Sequence, residues 1–168
     1  MLGLTAIGIF HTLASLAAVI AGAMSLVRDK EILPTSRLGQ LYITATVIVC
    51  LSGFFIFQHG GFGKPHVLAV LTLCGLAIAA AARLTSIFGW GGPYVETVAY
   101  SLTFFFHTIP GLTETVTRLP LGAPLVNDPD NPILQMAFGI FFLLFLVGAV
   151  LQVLRLRAAT RTVWRYGH

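Results

Sequence analysis

Five apolar runs, separated by short polar segments, organise this chain and predict five helices. The predicted helices cover residues 4–27, 38–58, 66–88, 94–110 or 94–118, and 133–154. Each run reaches or approaches the roughly 20 residues that a helix needs to cross a bilayer. Charges, glycines and prolines fill the segments between them, as is typical where helices end. The pattern therefore predicts an all-α, polytopic membrane protein, with five transmembrane helices in a single bundle over residues 1–154.

The sequence allows two ends for the fourth helix. Pro110-Gly111 could stop the helix, or could only kink it, because membrane helices tolerate proline better than soluble ones do. If the helix continues, the segment from Leu112 to Arg118 adds two more turns.

Composition agrees with a membrane location and argues against nucleic acid as a partner. The chain is 57% hydrophobic and 10% charged, whereas soluble domains carry about 25% charged residues. Its net charge of +4 comes from basic residues at predicted helix ends, where they set topology. The first run lacks a basic segment before it, so we interpret it as a helix that stays in the membrane and not as a cleaved signal. The partner that composition predicts is the lipid bilayer.

The distribution of basic residues predicts the orientation. Of the ten Lys and Arg residues, all but Lys64 and Arg118 fall on the side that holds the first loop, Arg83 and the C-terminal segment. The positive-inside rule then places the N-terminus outside and the C-terminus inside. We expect a multi-pass protein of the bacterial inner membrane, with residues 155–168 as a basic cytoplasmic tail.

Histidines supply the main chemical signal. His59 and His66 flank a glycine-containing hinge between the second and third helices, and glycine lets the backbone fold tightly there. His11 lies on a small-residue face of the first helix that suits close packing, and His107 lies in the fourth helix at about the predicted depth of His11. Ionisable residues inside a membrane are candidates for function, and histidine is the commonest metal ligand.

Two kinds of site fit these residues. His11 and His107 could be the axial ligands of haem b, with Arg118 or Lys64 near the propionates. Alternatively, the four histidines could hold iron, copper or zinc in a compact site, with Glu114 as a further metal ligand. Glu114 could also be a proton carrier, or the partner of Arg118 at i+4 in a salt bridge. The plainer alternative for His11 is a neutral imidazole hydrogen-bonded to a carbonyl.

One stretch resembles a family of bacterial predicted membrane proteins of unknown function. The resemblance consists of His11 in the first helix, Arg37-Leu-Gly-Gln-Leu-Tyr42 at the start of the second, and the following Ser52-Gly53. It covers about the first third of the chain. A second histidine often precedes the Arg-Leu-Gly in that family. In this chain Thr35-Ser36 occupies that position. The resemblance implies a bacterial helical bundle in which His11 matters, and it implies no reaction.

The function expected from these patterns is redox work: electron transfer, or oxidation of a small or lipophilic substrate that enters from the membrane. The enzyme alternative is a zinc hydrolase with Glu114 as its general base. A third possibility is an accessory subunit of a larger membrane complex, or a homo-oligomer. The two cysteines, Cys50 and Cys74, are too few for a disulfide framework or a cysteine-based zinc site.

Overall fold

Five α-helices make up most of the described chain. The computed structural model describes residues 6–56, 61–120, 123–126, 128 and 130–166, with side chains through residue 159. Within these residues the helices are α1 (Ala6–Arg28), α2 (Arg37–Gly53), α3 (Lys64–Leu84), α4 (Gly92–Arg118) and α5 (Pro132–Tyr166), with a short 3₁₀ turn at Gly89–Gly91. The all-α prediction is confirmed.

Local chemistry explains where these helices begin and end. The Ser36 hydroxyl accepts a hydrogen bond from the Gly39 N–H at 3.0 Å and caps the start of α2. Pro65 lies in the first turn of α3, where its missing N–H costs nothing. Pro110 lies inside α4, which runs on to Arg118, so the structure has the later of the two predicted ends.

The second and fifth helices differ most from their predicted lengths. The second helix ends at Gly53 and not at residue 58, because the chain turns at Phe54 and Phe55. Residues 57–60 lie outside the described residues. α5 runs to Tyr166, so residues 155–166 of the predicted basic tail continue the last helix.

The helices pack as a closed ring with one helix outside it. α1 packs against α2, α2 against α3, α3 against α4, and α4 against α1. We call this arrangement the α1–α4 ring. Among the described residues, α5 makes its helix–helix contacts with α4.

The interior of the ring is built from small side chains around a buried tyrosine. Tyr42 is fully buried, and its neighbours in the core are mainly alanines: Ala18, Ala21, Ala45, Ala79 and Ala99. Small residues let membrane helices approach closely. Outside, the helices expose large apolar side chains. In the described part of the chain, α1, α3 and the Pro132–Ala159 part of α5 are long and apolar enough to cross a membrane.

Candidate functional site

A row of hydrogen-bonded polar side chains crosses the interior of the ring from α4 to α2. The His107 Nε2 atom lies 3.0 Å from the Thr46 hydroxyl. The Tyr42 hydroxyl lies 2.8 Å from that of Thr103. Tyr42, Thr46, Thr103 and His107 are all buried. We call these four residues the polar row.

One hydrogen-bond direction in the polar row can be assigned. The Thr103 hydroxyl donates its single hydrogen to the Tyr100 carbonyl at 2.8 Å, so it accepts from the Tyr42 hydroxyl. In the second hydrogen bond, the direction between Thr46 and His107 Nε2 depends on the tautomer of the ring. With its hydrogen on Nε2, His107 donates to Thr46 and keeps a lone pair on Nδ1.

The same reasoning assigns the tautomer of His11. The Ser52 hydroxyl donates to the Val49 carbonyl at 3.1 Å, so it accepts from His11 Nδ1, which is 3.0 Å away. The His11 ring also lies against Gly53, where a Cβ atom would come within 3.4 Å of it. His11 is half-buried and carries its lone pair on Nε2.

His11 and His107 lie near each other and bond to α2 at different positions. They are close enough to interact electrostatically. Their hydroxyl partners on α2, Ser52 and Thr46, are six residues apart, which corresponds to about 9 Å along a helix. His11 therefore bonds to α2 nearer the C-terminal end of that helix than His107 does. That the two histidines lie at about the same depth stays a prediction.

Glu114 and Arg118 form the predicted i, i+4 ion pair at the end of α4. Their side chains are 56% and 37% exposed. Glu114 also lies within electrostatic range of His11. The salt bridge expected for Glu114 is confirmed, and it occupies both residues at the rim of the site. Lys64, the other cation suggested for propionates, pairs with Asp130 at 2.6 Å.

Of the two hinge histidines, the structure describes His66, which does not join this pair. His66 is buried at the start of α3, where its Nδ1 accepts from the Gly63 N–H at 3.2 Å. Its ring stacks on Phe62 with a centroid distance of 5.1 Å. His59 lies outside the described residues. Among the residues described, no group of three or more His, Cys, Asp or Glu side chains is placed to hold a metal ion.

Sequence reasoning missed the hydroxyl groups that hold the two imidazoles. Tyr42 and Thr46 are four residues apart, as are Thr103 and His107, so each pair shares one helical face. A polar i, i+4 pair inside an otherwise apolar helix was the available signal. Which pair faces which could not be read from the sequence, because the partners are 61 residues apart.

The chain matches no protein-family model, no curated protein and no solved structure. Its class therefore follows from the fold and the site alone. It is an all-α protein with long apolar helices and an interior pair of imidazoles held by hydroxyl groups. The family resemblance drawn from His11 and the Arg37–Tyr42 segment stays a prediction.

Proposed function

We propose that this chain is an integral protein of the bacterial cytoplasmic membrane that performs redox work with a haem b group ligated by His11 and His107. The observation that carries the proposal is that a hydroxyl group holds one ring nitrogen of each imidazole. When each imidazole donates its N–H to that hydroxyl group, its other nitrogen keeps a lone pair for a ligand. Metal-ligating histidines are oriented in this way by a partner on their second nitrogen.

The number of ligands favours haem over a bare ion. Within the described residues the site offers two imidazoles and no third His, Cys, Asp or Glu ligand. A protein-bound zinc ion takes three or four protein ligands, whereas haem needs at most two because the porphyrin supplies the rest. Haem, when bound, supplies one-electron chemistry. The residues would contribute ligation, orientation and an apolar surrounding.

The charges at the two ends of the bundle support the proposed topology of five crossings. Three basic groups occur together at one end: the Arg28–Glu31 loop, the Arg83–Glu96 ion pair and Arg155. Arg155 donates to the Asp29 carbonyl at 2.6 Å, and Thr97, which follows Glu96, donates to Glu31 at 2.9 Å. The Glu114–Arg118 pair lies at the far end of α4. We assign the first end, which is richer in basic residues, to the cytoplasm. His11 and Glu114 then lie toward the outer face.

The zinc hydrolase alternative has less support. Glu114 would have to act as a general base, and its carboxylate is paired with Arg118. A hydrolytic zinc site also needs three protein ligands and an open position.

An absorption spectrum of the protein purified in mild detergent, with metal analysis of the same sample, tests the proposal. We expect a Soret band that shifts on chemical reduction and that is lost or displaced in both His11→Ala and His107→Ala. His66→Gln is the matched control, because it removes an imidazole that caps α3, and it should keep the band.

Both axial ligands of a haem bind the same iron atom, so both variants must alter the same band if both residues are axial ligands. A band that responds to one variant alone would contradict joint ligation. Stoichiometric zinc, copper or iron without a band would replace haem by a metal ion. A sample with no absorption band and no bound metal would overturn the proposal. The role of an accessory subunit would then remain.

A further inference from the structure

An open groove of about 540 Å³ runs between α4 and α5 on the outside of the ring. Its volume falls in the range of about 300–1,000 Å³ that is usual for small-molecule sites. Along α5 its lining extends from Phe141 to Arg155, which is about 21 Å at 1.5 Å per residue. That length exceeds the roughly 15 Å of one leaflet of the hydrocarbon core, so the groove can take an extended acyl chain.

Most of the groove is apolar. Phe104 and Phe105 line it from α4, and Phe141 and Phe145 line it from α5. Phe105 and Phe145 stack on each other with a centroid distance of 5.8 Å, which fixes part of this wall. Gly148 widens the groove, because a Cβ atom added there would meet nothing within 4 Å.

One end of the groove is cationic. Lys30 and Arg155 both line it. The Lys30 Nζ atom donates to the Val27 carbonyl at 2.7 Å, and Arg155 donates to the Asp29 carbonyl. Carbonyls are neutral acceptors, so these hydrogen bonds leave both positive charges in place.

The nearby carboxylates neutralise this end only in part. Asp29 is hydrogen-bonded to the Arg28 guanidinium, which lowers the pKa of that carboxyl below its usual value and keeps it charged. Glu31 accepts from Thr97 at 2.9 Å and forms an ion pair with Arg155 at 3.9 Å. No carboxylate of the described residues forms an ion pair with Lys30.

The polar floor of the groove holds the cationic end in position. Gln152 accepts from the Ser101 hydroxyl at 2.9 Å and donates to the Lys30 carbonyl at 2.8 Å. This ties α4, α5 and the loop after α1 together at one point. Lys30 itself adopts a left-handed backbone conformation with φ of 66°, which is rare for a residue with a Cβ atom.

We propose that this groove binds an anionic phospholipid, with one acyl chain along the phenylalanine wall and the phosphate at Lys30 and Arg155. Basic pockets at the ends of membrane helices recognise anionic head groups in this way. The charge at the end of the groove is what distinguishes such a site from the general lipid contact of an apolar helix. The inference stands independently of haem.

Native mass spectrometry of the delipidated protein, incubated with phosphatidylglycerol or with phosphatidylcholine of the same chains, tests the proposal. We expect phosphatidylglycerol to be retained preferentially. Lys30→Gln and Arg155→Gln should each weaken its retention about fivefold, the effect of one cation near a lipid surface. Arg157→Gln is the matched control, because it removes the same charge from the same helix outside the groove lining, and it should leave retention unchanged.

A second pair of variants tests the acyl-chain part without touching charge. Gly148→Leu projects into the groove and should reduce retention of both lipids, whereas Gly139→Leu, which also meets open space but lies outside the lining, should not. Circular dichroism confirms that each variant is folded. Equal retention of both lipids by the original chain, or equal loss with Arg157→Gln and Arg155→Gln, would overturn the proposal.

Discussion

The α1–α4 ring and α5 are both apolar, yet they use that property in opposite ways. In the most apolar stretch of α3, 28% of the residues are buried inside the protein, whereas in that of α5 only 6% are. The ring is filled by alanines and glycines around a polar row, whereas α5 turns Leu, Phe and Val side chains outward. The contrast teaches that hydropathy marks contact with lipid, while small and polar residues mark the interior of a membrane bundle.

The largest effect that this comparison predicts comes from adding a side chain to a glycine. At Gly22 in α1, a Cβ atom would lie 2.6 Å from a Phe104 ring carbon and 2.9 Å from one of Tyr42. Gly22→Leu should therefore destabilise the protein by about 1–3 kcal/mol, and toward the upper end, as overpacking does. Gly139→Leu in α5 meets open space and should be neutral or slightly stabilising. Denaturation by SDS, followed by circular dichroism, measures both.

Equal destabilisation by the two variants would contradict the comparison. It would mean that α5 is packed as tightly as the ring, by a surface that the described residues do not show. Gly75→Leu in α3 extends the test within the ring, since a Cβ atom there would lie 2.7 Å from the Thr103 methyl carbon.

A smaller loss of stability is expected from a substitution in the polar row. Thr46→Val keeps the shape of the side chain but removes the hydrogen-bond partner of His107 Nε2. Hydrogen bonds between membrane helices are worth about 0.6 kcal/mol on average, and about 1.7 at most, so the loss should fall in that range. Thr46→Ser keeps the hydroxyl and should lose less.

The tautomer of His107 gives a readout that a purely structural role would not move. In protein labelled with ¹⁵N-histidine, NMR should show His107 with its hydrogen on Nε2 in the original chain and in Thr46→Ser. In Thr46→Val this preference should weaken. A His107 signal that is the same in all of these chains would show that Thr46 does not orient the ring, and would remove the main support for a ligating Nδ1.

The sequence predicted the helices better than it predicted the site. Five apolar runs are a strong local signal, and α1 and α3 begin and end within a few residues of the predictions. The hinge histidines were the most visible feature, yet the ring of His66 serves the start of its own helix. A histidine can cap a helix or ligate a metal. Only the residues that lie around it in the fold show which of the two it does.

The extent of α5 was missed for a related physical reason. Arg155 and Arg157 indicated a tail after residue 154, because charges usually end a membrane helix. Arginine is nevertheless a good helix former, and α5 continues through both residues. Only the end of the apolar stretch, and not the end of the helix, could be read from hydropathy.

The smallest effect on overall stability is expected where α5 is tied to the rest of the protein. Gln152→Leu removes the acceptor of Ser101 and the donor to the Lys30 carbonyl. Ser101 can turn its hydroxyl to a carbonyl of its own helix, and the Lys30 carbonyl lies in an exposed loop, so the loss should be about 0.6 kcal/mol or less. Hydrogen exchange followed by mass spectrometry should instead show faster exchange in the loop after α1, with α3 unchanged. If Gln152→Leu destabilised the whole protein as much as Gly22→Leu does, the bundle would unfold as one unit with α5 inside it. The division into a packed ring and an outer helix would then be wrong.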